Sequence, residues 1–98
     1  MRDPVILDQV KRTLALLTAK APGGAIEVRV PPYAAVQCGA GPTHKRGTPP
    51  NVVEMNSDTW LALASGKLHW QEAMDKGKIS ASGVRADLTE YLPLRGTP

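Results

Sequence analysis

Ser57-Asp58-Thr59-Trp60-Leu61-Ala62-Leu63-Ala64-Ser65-Gly66-Lys67-Leu68 is the stretch from which the rest of the chain can be read. Asn56-Ser57-Asp58 offers side-chain oxygens to cap a helix over Thr59–Ser65. Trp60 to Ala64 is apolar nearly all round, which predicts a buried helix rather than a surface one. Gly66 is placed to end it. Downstream, a second short helix is expected over Trp70–Lys76, closed by Gly77 in the same way. Lys78–Ser82 follows as a strand, with Ile79 and Ala81 inward. Val84, Leu88 and Leu92 recur at helical spacing, which predicts a last helix stopped by Pro93.

Upstream, Asp3-Pro4 opens a helix, because Asp caps free amides and Pro suits the first turn. Ile6, Val10, Leu14 and Leu17 form its apolar stripe, and Pro22-Gly23-Gly24 stops it. Residues 25–30 alternate: Ile26, Val28 and Val30 face one way, Glu27 and Arg29 the other, as in a half-buried strand. Pro31-Pro32 interrupts the pairing, and Tyr33–Cys38 resumes it as a second strand. Gly39-Ala40-Gly41-Pro42 is turn chemistry, Thr43–Asn51 a polar loop, and Val52–Met55 a third strand. The order is helix, three strands, two helices, strand, helix. Without regular strand–helix alternation, the class is α+β with a largely antiparallel sheet.

The 98 residues make one domain, 1–98. With 42% apolar residues one compact core is feasible, but Phe is absent, so the few large side chains must all contribute to it. Nine Pro and nine Gly exclude a helical bundle throughout. The net charge is +3 and the basic residues are scattered, whereas a dedicated nucleic-acid binder clusters them. No apolar run approaches the ~20 residues of a membrane span. The N-terminus lacks the apolar stretch of a signal peptide, and a single Cys38 cannot form an internal disulfide. The expectation is a soluble, cytoplasmic protein.

Catalytic and metal-binding patterns are absent. One Cys and two His, His44 and His69, cannot complete a Cys/His zinc site, so neither metal nor cofactor is expected. Glu72 with Asp75, and Asp87 with Glu90, lie three apart and fit solvated helix faces better than paired acids. Gly66-Lys67 and Gly77-Lys78 lack the upstream Gly and the following Ser or Thr of a phosphate loop. Gly39-Ala40-Gly41 does not lead into a helix and so is no dinucleotide fingerprint. His44-Lys45-Arg46 suits either an anion or plain solvation. Cys38, beside Val36 in a strand, reads as a small buried apolar residue. With no nucleophile–base pair, an enzyme is not expected.

Ser57 to Leu68 also resembles the helix-and-Gly-Lys signature of the sterol-carrier-protein (type-2-like) family, and the likeness continues through Glu72-Ala73-Met74-Asp75-Lys76-Gly77-Lys78-Ile79-Ser80-Ala81-Ser82-Gly83. Residues 27–38, from Glu27-Val28-Arg29-Val30-Pro31-Pro32, and residues 46–54, from Arg46-Gly47-Thr48-Pro49-Pro50, resemble its small stand-alone bacterial branch. The resemblance implies a curved sheet with helices packed on one side. In larger relatives it implies an apolar tunnel for sterols, fatty acids or acyl-CoA. The sequence ends at Pro98, before their extra C-terminal helix, and uses Trp and Ala where others carry Phe. Both departures are expected to shrink or fill the cavity.

The first expectation is a non-enzymatic carrier that binds a fatty acid, fatty-acyl or sterol-like ligand between sheet and helices. Its expected lining is Trp60, Leu61, Ala64, Leu68, Trp70, Met74, Ile79, Leu88 and Leu92, residues that serve equally as core. Both indoles are expected to be mostly buried. The alternative is an accessory protein-interaction module with a filled core, reaching its partner through the 43–51 loop.

Overall fold

The structure is a computed structural model that describes residues 2–42 and 50–95. It opens with helix α1 (Pro4–Lys20). Asp3 caps the helix: the Val5 amide donates to its Oδ1 at 2.8 Å and the Ile6 amide at 3.3 Å. Val10, Thr13, Leu14 and Leu17 form the buried stripe. Strands β1 (Ile26–Val30) and β2 (Ala34–Cys38) make an antiparallel hairpin with Val28 opposite Val36. β3 (Val52–Glu54) joins β1 in parallel, and β4 (Ser80–Ser82) joins β3 antiparallel. The sheet order is β2-β1-β3-β4, so two of its three pairings are antiparallel.

Between β3 and β4 lie α2 (Ser57–Ser65) and α3 (Trp70–Asp75). The Thr59 amide donates to Asn56 Oδ1 at 2.8 Å, which starts α2 two residues before the expected Thr59. Gly66 ends α2 with φ 86°, and Gly77 follows α3 with φ 68°. Both helix exits are therefore left-handed, where a β-carbon would clash with the backbone. α1 packs on β2 and α2. Ile26, Val28, Val30 and Val53 point into the core, while Glu27 and Arg29 form an ion pair on the other face.

Two expectations about the C-terminal third are corrected. No helix forms over residues 84–92; the chain makes one 3₁₀ turn, Thr89–Tyr91, within an irregular strap over residues 83–95. Val84 is fully exposed, and the strap instead buries Ala86, Leu88 and Leu94. Tertiary partners divert the backbone. Asn51 Oδ1 accepts from the Arg85 amide at 2.9 Å, while Asn51 Nδ2 donates to the Ala25 carbonyl at 2.9 Å. Asn51 thus ties the start of the strap to the residue before β1. Ala81 faces solvent with the rest of β4, although Ile79 just before it is buried.

Candidate functional site

Trp60 is the centre of the space between helices and sheet. It is fully buried, and its indole Nε1–H donates to Thr13 Oγ1 at 2.7 Å. The Thr13 hydroxyl is itself held by the Gln9 carbonyl at 2.7 Å and the Val10 carbonyl at 3.0 Å. α1 therefore fixes the largest side chain of α2 through a satisfied buried polar contact. Around it Leu14, Leu17, Val28, Val30, Val53, Leu63 and Leu88 are each at most 1% exposed. These buried side chains belong to one core cluster that also holds Trp60.

The nine expected lining residues divide by depth. Trp60, Ala64 and Leu88 are fully buried, and Trp70 and Ile79 are buried. Leu61, Leu68 and Leu92 are half-buried and pack against the core edge. Met74 is 37% exposed, because α3 turns Trp70 and Ala73 inward and leaves Met74 at the surface. It does not join the other eight. His69 is the N-cap position of α3 and makes no side-chain cap bond. Residues 43–49, with His44, Lys45 and Arg46, lie outside the described residues. At the end of that loop, Asn51 is buried structure rather than contact surface.

The strap closes one end of the helix–sheet layer. Lys20 Nζ donates to the Tyr91 carbonyl at 2.8 Å and reaches the Pro93 carbonyl at 3.5 Å. The Leu94 amide donates to the Ala64 carbonyl at 2.8 Å, tying the strap to the last turn of α2. Beside this junction is a mostly apolar cleft of about 320 Å³, lined by Leu16, Lys20, Leu94 and Arg95. Sequence reading missed Leu16, Lys20 and Leu94, since nothing in their spacing brings residues 16–20 to residue 94. A second cleft, about 390 Å³, runs along Ile26, Arg85, Asp87, Thr89, Glu90 and Tyr91. There a hydrogen bond to Glu90, with some desolvation, pushes the Tyr91 phenol up. A third, more polar cleft of about 410 Å³ lies where α2 begins, against Leu68, Gly77 and Lys78.

Among the described residues no group of three His, Cys, Asp or Glu side chains is arranged to hold a metal ion. No helix among them is long and apolar enough to cross a membrane. A family model described as bacterial SCP ortholog matches residues 3–94 of the chain. The chain belongs to this bacterial sterol-carrier-protein family. A search of the curated proteins finds no match. Within the SCP family fold, the strap and the locked Trp60 are the features that bear on whether a ligand can enter.

Proposed function

We propose that the chain is a small non-enzymatic carrier for one apolar ligand with an anionic end, of fatty-acid or fatty-acyl type. The observation that carries this reading is the Leu16–Leu94 cleft with Lys20 and Arg95 beside it, in a member of the sterol-carrier-protein family. At about 320 Å³ the cleft sits near the lower end of the usual ~300–1,000 Å³ for small-molecule sites. Leu16 and Leu94 would take the tail, each buried CH₂ contributing about 0.8 kcal/mol. Lys20 and Arg95 would hold the headgroup by charge-assisted hydrogen bonds. A longer tail reaches Leu61, Ala64, Leu92 and Trp60 only if Leu94 and Leu88 of the strap give way.

Tryptophan emission tests this. Titration with long-chain fatty acids or acyl-CoA should change it saturably. Lys20→Glu should weaken the response, and Met74→Glu, at the surface, should leave it intact. A flat titration across several chain lengths, together with a thermal midpoint that none of these ligands raises, sinks the carrier reading. It would favour a filled-core interaction module, the reading that the Trp60–Thr13 hydrogen bond and the burial of Trp60 support.

A further inference from the structure

We propose that Lys20 is a latch on the strap and that an anionic headgroup releases it, so that the ligand's own carboxylate opens the path for its tail. This rests on the carrier reading above and adds how entry is controlled. Lys20 is the last residue of α1 and is exposed. Its Nζ reaches across to the strap, to the Tyr91 carbonyl at 2.8 Å and the Pro93 carbonyl at 3.5 Å. These carbonyls flank Leu92, which packs against the core, and immediately precede Leu94, which is buried. The Leu94 amide bonds the Ala64 carbonyl of α2 at 2.8 Å. Lys20 and Leu94 line the same cleft. The side chain that a headgroup would meet there is therefore the one that tethers the strap beside Leu94.

The cleft's charge selects an anion. The two other clefts carry Asp87 with Glu90, and Asp58, whereas among the described residues this one is lined by two cations and no carboxylate. Lys20 Nζ has three N–H donors, and its strap partners are neutral carbonyls. A carboxylate brings a full negative charge to the same donors and draws the ammonium away from those carbonyls. The Leu94 amide then remains to tie this end of the strap to α2. The strap holds one 3₁₀ turn as its regular structure, and segments so sparsely bonded open locally at low cost. A neutral ligand of the same length has no comparable hold on Nζ and leaves the tether in place. Lys20 is in this sense a specificity residue: it admits tails that arrive with an anion.

The test uses the ¹⁵N-labelled full chain, its Lys20→Met and Lys20→Arg variants, and decanoate and decanol as probes. Without ligand, Lys20→Met should speed hydrogen exchange at the Leu92 and Leu94 amides several-fold and leave Val28 and Val53 unchanged. Saturating decanoate should speed the same two amides in the native chain, and decanol should not. In stopped-flow tryptophan emission the native chain and Lys20→Arg should take up decanoate several-fold faster than decanol. Lys20→Met should lose that difference and take up decanol faster than the native chain does. Unchanged exchange at Leu92 and Leu94 in Lys20→Met would overturn the latch. So would decanoate that binds but slows strap exchange, since the third N–H would then hold the headgroup with the tether intact. A residue that merely stabilises α1 would raise exchange throughout and keep the acid-to-alcohol ratio in Lys20→Met, and that result also overturns it. Equal uptake of both probes by the native chain defeats the latch alone. If neither probe moves the emission or the thermal midpoint of any of these chains, the carrier reading fails and takes the latch with it.

Discussion

Thr13 and Cys38 show how single side chains set the terms of this core. The Thr13 hydroxyl accepts the Trp60 indole N–H, so that this donor is buried with its hydrogen bond made. Thr13→Val keeps the shape and removes the acceptor. It should cost about 1–3 kcal/mol in chemical denaturation, the usual penalty for an unsatisfied buried donor. Cys38, at the end of β2, has no exposed surface, and burial pushes its thiol up from 9.0 to about 11. The folded chain holds the group neutral while the unfolded chain ionises first. Its contribution to stability is therefore whole below pH 9.0, falls as pH rises toward about 11, and then levels off. Denaturation midpoints across that window should fall more steeply for the native chain than for Cys38→Ala.

At the scale of elements, the strap replaces the helix that the Val84, Leu88 and Leu92 spacing predicts. A helix would place the three side chains on one face. The strap separates them: Leu88 is fully buried, Leu92 half-buried and Val84 free in solvent. Leu88→Ala should therefore cost about 2–5 kcal/mol, as cavity-forming core substitutions do. Val84→Ala should change the denaturation midpoint within error, because no packed contact is lost. Equal effects of the two substitutions would restore the helical reading. Gly83 marks where the departure begins. A β-carbon there would lie 2.2 Å from the Pro50 carbonyl oxygen and 2.4 Å from Asn51 Oδ1, so only glycine lets the chain approach this close.

For the whole molecule, the question is whether a core of this size can admit a ligand. The strap holds one 3₁₀ turn as its regular structure, and its tethers include Asn51 to Arg85, Arg85 to Ala40, Lys20 to Tyr91, and Leu94 to Ala64. Local opening is favoured where regular structure is sparse. Uptake of a long-chain fatty acid should therefore speed amide exchange at residues 85–95 while raising the thermal midpoint of the chain as a whole. Ligand at about 100 times Kd should add about 2.7 kcal/mol of stability. A raised midpoint with an unchanged strap would place the ligand wholly in the surface cleft at Leu16 and Leu94.

The α1 stripe, the β1 alternation and the Gly-ended α2 and α3 were legible in the sequence, because each depends on local spacing, capping and turn chemistry. The buried indole of Trp60 and the inert thiol of Cys38 followed from residue type. Four things did not. Asn51 bonds residues 26 and 34 positions away, so no local pattern announces that it ties down the strap. The exposure of Ala81 depends on β4 being the sheet's edge, and strand order is a tertiary fact. Met74 reads as apolar and inward, yet α3 buries Trp70 and Ala73 and leaves Met74 at the surface. Leu16 and Lys20 meet Leu94 and Arg95 only because the strap folds back over the end of α1. Sequence determined which elements form, since their hydrogen bonds close within a few residues. Which surfaces remain open to a ligand or a partner depended on long-range packing, and only the tertiary structure decided it.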